Sequence, residues 1–283
     1  MVTILAPAKI NLTLEVLGKR PDGFHEIRSV LQTVNLCDAL HFNAGEGVTF
    51  ECDMPGWSAE ESLVSRAVAL LQKETGCPHG TEIMIEKRIP LMSGLGGDSS
   101  DAAAVLRGLN ELWGLNLSRE KLVDMASRLG SDIVFFLHGG TALAGGRGEI
   151  IMPLPPLAGI WVVLVVPDVP REMGKTGHLY AEINAGYFTD GKITEKMAAL
   201  VNEKSKLDPS LIFNIFENVA FNYFKGLAVY KEHILKLGAP HVHLAGSGPA
   251  LFTVFIDKSQ AEDLYKRCKD QGMEAYLAGT ILP

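Results

Sequence analysis

The chain has 283 residues, of which 47% are apolar and 21% charged, with a net charge of −7. That length leaves room for two domains with separate cores, and the acidic balance argues against nucleic acid as a partner. There is no run of 18 apolar residues and no basic stretch ahead of Val2–Leu5, so neither a membrane span nor a signal peptide is expected.

In chain order, Val2–Leu5 and Leu12–Val16 read as strands on either side of Pro7-Ala8-Lys9. Ile27–Val34, Ala39–Phe42, Val48–Cys52 and Glu82–Glu86 are expected as further strands. Ser62–Gln72 is a helix, with Leu63, Ala67, Leu70 and Leu71 on one face. Another helix, expected to begin near Ser99 or Ser100, carries Ala102, Val105, Leu106, Leu109, Leu112 and Trp113 at helical spacing. Ser118–Leu129 is a third, with Ser118 as its N-cap candidate. Val134–Leu137 and Thr141–Ala144 read as short strands. The prolines of Met152-Pro-Leu-Pro-Pro-Leu157 mark a boundary, giving domains 1–153 and 154–283. Beyond it, Trp161–Val166 is a strand and residues 168–210 are irregular, polar and partly mobile. A helix is expected over Pro209–Phe224 and another over Ala228–Leu237. Strands Val242–Ala245 and Leu251–Phe255, helix Gln260–Gln271 and strand Glu274–Ala278 complete a small α+β layer. Cys37, Cys52, Cys77 and Cys268 are scattered without metal-like pairing, as reduced packing thiols of a cytoplasmic protein would be.

The segment Pro90-Leu-Met-Ser-Gly-Leu-Gly-Gly-Asp-Ser-Ser100 sets three glycines against a helix start. Gly94, Gly96 and Gly97 let the backbone turn tightly and admit a ligand. The helix that follows aims free N–H groups and a positive dipole end into the turn, which suits phosphate. An ordinary glycine-rich turn capped by Ser99 is the alternative. Two common phosphate loops are excluded. Gly174-Lys175-Thr176 lacks the first glycine of the nucleoside-triphosphate loop, since Val169 stands there. The dinucleotide pattern fails at Ser99 and at Leu251.

Three segments in order, Pro7-Ala-Lys9-Ile-Asn11-Leu, the loop at 90–104 and Ala245-Gly246-Ser247-Gly248-Pro249, resemble the three motifs of the GHMP kinase superfamily. The resemblance spans nearly the whole chain. It implies an α/β (α+β) fold of two domains, the first like domain 2 of ribosomal protein S5 and the second ferredoxin-like, with the site in the cleft between them. Gly18-Lys-Arg-Pro-Asp-Gly-Phe-His-Glu26 is similar to the substrate loop of the members that phosphorylate the 2-hydroxyl of a cytidine-diphosphate-linked methylerythritol, in non-mevalonate isoprenoid synthesis. Gly130-Ser-Asp132-Ile matches the place of their catalytic aspartate, and Asn214-x-Phe216-Glu217 resembles a motif of their second domain. Such members usually carry glycine at positions 92 and 98, where this chain has Met92 and Asp98. They have tyrosine at Phe24, asparagine at Ser62 and proline at Val134. Asp98 sets a carboxylate beside a phosphate loop, which lowers anion affinity unless it points away or meets a cation.

The resemblance implies ATP and Mg2+ as cofactors and a small-molecule acceptor as partner. Residues Pro90, Leu91, Met92, Ser93, Gly94, Leu95, Gly96, Gly97, Asp98, Ser99 and Ser100, with Ser62 near adenine, would bind the nucleotide. Lys9 and Asp132 would be the catalytic pair. Asp132 would take or orient the hydroxyl proton, and Lys9 would draw charge from the attacking oxygen. Asn11 would orient the acceptor through its amide. Phe24 would stack on the pyrimidine, His25 would bond its edge, and Tyr180, four residues after Thr176, itself expected to bind the substrate, would cover the other face. Gly246, Ser247 and Gly248 would back the phosphates, unless they form a plain hairpin turn. Metal ligands are not legible. A kinase for homoserine, mevalonate or a sugar, or a nucleotide-binding regulator without turnover, are the rival readings.

Overall fold

The computed structural model describes residues 1–282. In chain order the elements are β1 (Val2–Lys19), β2 (His25–Gly45), β3 (Val48–Cys52), α1 (Leu63–Thr75), β4 (Gly80–Glu86), α2 (Gly97–Leu112), α3 (Arg119–Leu129), α4 (Ser131–His138), β5 (Thr141–Gly145) and β6 (Ile150–Pro153). There follow β7 (Trp161–Val165), α5 (Lys175–Glu182), α6 (Lys192–Asn202), β8 (Phe213–Asn214), α7 (Glu217–Tyr223), α8 (Leu227–Lys236), β9 (His243–Leu244), β10 (Leu251–Phe255), α9 (Lys258–Asp270) and β11 (Ala275–Gly279).

β1 and β2 are each one long strand, where the sequence suggests pairs of short ones. In β1 the apparent break at Lys9 arises because both faces are covered. Ala8, Ile10, Leu12 and Leu14 are buried, and so are the alternate Lys9, Asn11, Thr13 and Glu15. In β2 the polar Asp38 is buried as well, its carboxylate accepting from the Arg88 and Ile89 N–H groups at 2.6 and 2.8 Å. Val134–Leu137 belongs to helix α4 rather than to a strand. Ile133, Val134, Phe135 and Phe136 are all buried, and a short apolar run without a polar face carries no period to read. Residues 168–210 hold α5 and α6 in place of irregular chain. The helix expected over Pro209–Phe224 is broken: Pro209–Leu211 is a 3-10 turn, β8 pairs parallel with β1 through Thr13 and Leu14, and only Glu217–Tyr223 is α-helical.

The chain forms two compact units, each discontinuous in sequence, where composition places a single cut after residue 153. Unit 1 comprises residues 1–8, 37–91 and 96–138. In it β4 runs antiparallel to Ala39–Gly45 of β2 and parallel to β3. Helices α1, α2, α3 and α4 pack on one another. Gly108 brings α2 against the Phe42 ring, where a Cβ would lie 2.4 Å from a ring carbon. Unit 2 comprises residues 9–36, 92–95 and 139–283. Its antiparallel sheet has the order β11-β7-β10-β9, and α9 packs on β7 and β11. Ser29–Gln32 of β2 pairs with β5, which pairs with β6. Val163, Val165, Leu179, Phe216, Leu244, Leu251 and Leu264 are buried together in one core.

Candidate active site

The glycine loop owes its path to residues in the left-handed region: Met92 at φ 52°, Gly94 at 91° and Gly96 at 79°. Glycine is the natural occupant of that region. Met92 occupies it with an exposed side chain, so the glycine usual in similar kinases has a conformational reason. Helix α2 starts at Gly97 behind Gly96, earlier than Ser99 or Ser100. Pro90, Ser93, Leu95 and Ser100 are buried, Leu91, Gly97 and Ser99 half-buried. The Ser100 Oγ is buried without a hydrogen-bond partner.

Asp98 does not turn its carboxylate into the loop. It accepts from the Ser62 hydroxyl and, at 3.1 Å, from the Leu63 N–H. Ser62 is the N-cap of α1, accepting from the Val64 N–H at 3.1 Å. The carboxylate therefore sits on the positive end of α1. The hydroxyl of Ser62, expected near adenine, is engaged there too. The start of α2 is tied down from its other side by the Lys87 ammonium, which donates to Asp38 at 2.5 Å and Asp101 at 2.7 Å. Burial, and Asp38 close by, push the Asp101 carboxyl well above the usual range in spite of Lys87. Lys87 is raised, its two carboxylates outweighing burial.

In unit 2, residues 92–95 meet the second glycine turn. A Cβ on Gly94 would lie 2.2 Å from the Ala245 carbonyl oxygen and 2.8 Å from the Gly248 nitrogen. A Cβ on Gly246 would lie 2.6 Å from the Gly94 oxygen and 3.0 Å from the Lys9 Nζ. The Ala250 N–H donates to the Ser93 carbonyl at 2.9 Å. Both approaches need residues without side chains. The turn does join an antiparallel pair, β9 to β10, with Leu244 opposite Leu251. Asn214 fixes its shape, the side-chain amide donating to the Leu244 and Gly246 carbonyls at 2.8 and 2.7 Å. Glu217 accepts from the Leu244 N–H at 3.1 Å and pairs with Lys231 at 2.8 Å.

Lys9 and Asn11 alternate along β1 and so share a face. The Lys9 ammonium donates to the Asn11 Oδ1 at 2.7 Å, and the Asn11 amide donates to the Ser29 hydroxyl at 2.8 Å. The Lys9 N–H donates to the Leu95 carbonyl at 2.9 Å. Thus Lys9, Asn11, Gly94 and Gly246–Gly248, far apart in sequence, belong to one cluster. Asp132 lies in unit 1, in the first turn of α4.

The loop before β2 is built by its own charges. The Arg20 guanidinium donates to Glu26 at 2.5 Å and to Asp22 at 3.2 Å, and Asp22 accepts from the Phe24 N–H at 3.1 Å. Phe24 is thereby left 53% exposed, with the Arg147 guanidinium 4.7 Å above its ring centroid. His25 stacks on Tyr180, centroids 5.0 Å apart and planes at 14°. Phe24, His25, Arg147, Tyr180 and Phe188 line a cavity of about 640 Å³. Burial, then the nearby Lys19, lower the His25 pKa, which favours a neutral ring with one donor and one acceptor nitrogen. Tyr180 faces His25 and Phe24 faces Arg147, so the two aromatics expected to sandwich one base each hold a different neighbour.

Thr176 and Ser247 share a hydrogen bond at 2.8 Å. Ser247 also accepts from the Lys175 ammonium at 3.0 Å. Sequence reasoning missed Lys175, weighing Gly174-Lys175-Thr176 only as a remnant of a loop whose first glycine is absent. Nothing in the sequence distinguishes a buried lysine at a helix start from a solvated one.

Comparison with known proteins gives the family and the fold. The chain matches the GHMP kinases N terminal domain over residues 62–140 and the GHMP kinases C terminal family over 195–273. A protein of Dehalococcoides mccartyi named 4-diphosphocytidyl-2-C-methyl-D-erythritol kinase is 48% identical over 283 residues, covering 100% of this chain and 99% of its own. One of the same name from Symbiobacterium thermophilum is 40% identical, covering 97% and 98%. A crystal structure of 4-(cytidine 5'-diphospho)-2C-methyl-D-erythritol kinase superposes with a TM-score of 0.81 at 31% identity, over 99% of this chain and 98% of that one. Homoserine kinase from Cytophaga hutchinsonii, at 19% identity, superposes with 0.73 over 99% and 94%, a likeness of fold alone.

Proposed function

The chain belongs to the GHMP kinases, in the family of the 4-diphosphocytidyl-2-C-methyl-D-erythritol kinases, and from that premise we propose how its residues do the work. The reaction is transfer of the γ-phosphoryl group of ATP to the 2-hydroxyl of 4-diphosphocytidyl-2-C-methyl-D-erythritol. The observation that carries the reading is the meeting of Lys9 and Asn11 with both glycine segments in unit 2. Phosphoryl transfer passes through a loose transition state, so the protein's task is positioning and neutralising charge.

In this reading the N–H groups of Gly94–Ser100 cradle the terminal phosphates, and Gly246–Gly248 back them. The Asn11 amide, held by Ser29, orients the acceptor hydroxyl. Lys9 withdraws charge from the attacking oxygen. A carboxylate is too weak a base to ionise an alcohol beforehand. Asp132 therefore takes the proton late, while the oxygen–phosphorus bond forms and the β–γ bridge breaks with its electron pair leaving on ADP. The proton then passes to solvent. Phe24 offers a half-exposed ring face to the cytosine, and neutral His25 offers a donor and an acceptor to its edge.

Mg2+ supplies neutralisation of the phosphate charge when bound. Among the described residues no three His, Cys, Asp or Glu side chains form a metal-holding group, and Asp98 is committed to α1. The Ser100 hydroxyl, buried without a hydrogen-bond partner, would be the protein oxygen that holds the ion. The four cysteines are free thiols, which supports a cytoplasmic setting.

The test is ADP release with ATP and Mg2+ against the cytidine-diphosphate methylerythritol, homoserine, mevalonate and galactose. Turnover is expected with the first alone. Turnover only with another alcohol overturns the acceptor, and ATP binding without turnover on any of them overturns the kinase.

A further inference from the structure

A lysine is almost never fully buried without an anionic partner. Lys175 is 6% exposed, and among the described residues its ammonium donates to the neutral Ser247 hydroxyl at 3.0 Å. No carboxylate among the described residues pairs with it. The charges that act on it are of its own sign, Lys9 and Arg171. Arg171 pairs with Glu274 at 3.7 Å and Lys9 donates to Asn11 Oδ1 at 2.7 Å. Lys175 is also the first residue of α5, behind Gly174 in the left-handed region, so the positive end of that helix adds to the same potential. Burial, then Lys9 and Arg171, bring its ammonium down to about 8.

This positive site lies on the glycine turn. Lys9 approaches Gly246, where a Cβ would be 3.0 Å from its Nζ, and Lys175 bonds the next residue, Ser247. Thr176 Oγ1 joins the same hydroxyl at 2.8 Å. Two ammonium groups and two hydroxyls thus bracket two residues of backbone, in a chain whose net charge is −7. A buried ammonium such as that of Lys175, with a hydroxyl but no carboxylate beside it, is costly until an anion reaches it.

We propose that Lys175, with Thr176 and Ser247, binds a phosphate oxygen of the reacting pair, on the nucleotide or on the diphosphate of the acceptor. Gly174-Lys175-Thr176 then acts as a phosphate-holding helix start without being a nucleoside-triphosphate loop. Lys175 donates N–H to the oxygen and exchanges no proton or bond in the reaction. The inference rests on the kinase reading above, while its anion site can be tested without turnover.

The variants are Lys175→Met, which keeps the length and removes the charge, and Lys175→Arg, which keeps the charge. Lys175→Met is expected to lower kcat/KM about 100-fold, as loss of one positioned donor does. Lys175→Arg should recover at least tenfold of that. A rise confined to the KM for ATP places the group on the nucleotide, and one confined to the KM of the acceptor places it on the acceptor diphosphate. A fall in kcat alone places it on the phosphoryl group in transit. Without ligand, Lys175→Met should melt at or above the wild type, because an uncompensated buried charge is gone. A kcat/KM within about twofold of wild type overturns the proposal, as does a ligand-free melting point lower by more than about 4 °C, the mark of a purely structural bolt. Should the wild type phosphorylate none of the alcohols, the kinase reading fails and thermal shift by millimolar inorganic pyrophosphate decides the anion site. A shift in Lys175→Met less than half that of wild type supports it, and an equal shift overturns it.

Discussion

Replacing Gly94 by alanine tests whether the two glycine segments are held together as tightly as the distances state. The new Cβ would lie 2.2 Å from the Ala245 carbonyl oxygen, so the turn has to move by more than 1 Å, on the order of an overpacked core. That costs about 1–3 kcal/mol. The backbone sits at φ 91°, adding about 1–2 kcal/mol for a residue with a side chain. The stiffer unfolded chain returns about 0.4–1 kcal/mol. The net loss is about 1–5 kcal/mol, a large part of a typical domain's stability. Gly114 is the control, since it too is left-handed, at φ 61°, but a Cβ there meets nothing within 4 Å. Gly114→Ala carries the conformational part alone, about 1 kcal/mol. Urea unfolding of both, with the KM for ATP, is the assay. Gly94→Ala should be the less stable by at least about 1 kcal/mol and should raise the KM for ATP, which Gly114→Ala leaves unchanged. Equal stabilities and equal KM values would refute the reasoning.

Lys87→Met should destabilise the fold by about 3–5 kcal/mol at pH 7, because it leaves Asp38 and Asp101 buried without their cation. Urea unfolding measures it, and a loss below about 1 kcal/mol would show that the pair does not hold the start of α2. For Lys175 the folded value, about 8, lies below its ordinary 10.5. Below pH 8 it is protonated folded or unfolded, and its penalty is fully present. From about pH 8 to 10.5 the unfolded chain binds the extra proton, so stability rises with pH, by about 3 kcal/mol in all. The difference between wild type and Lys175→Met across that window isolates the effect. A difference independent of pH would show that the ammonium is not held down.

The repeating helices and the α+β end of the chain were legible because their apolar residues recur at 3.6 or 2. Ser62, Ser118 and the strands Val48–Cys52 and Leu251–Phe255 stand where the pattern puts them. The pattern failed where burial is two-sided. Lys9 and Asp38 look like breaks in strands until their partners are seen. Val134–Leu137 has no polar face to give its helix away. Of the site, the glycine segments and the Gly18–Glu26 loop stood out by composition. Which way Asp98 faces did not, because it depends on Ser62, thirty-six residues away. Lys175 was illegible for the same reason: its burial is a property of the glycine turn it touches, not of its neighbours in sequence.

The most direct test of the account is Asp132→Ala, assayed for turnover and for ATP binding on the same preparation. A loss of kcat by about 100-fold or more, with ATP affinity within a few-fold of wild type, is the predicted result. Undiminished turnover would remove the proton acceptor from the mechanism and contradict the role proposed for Asp132.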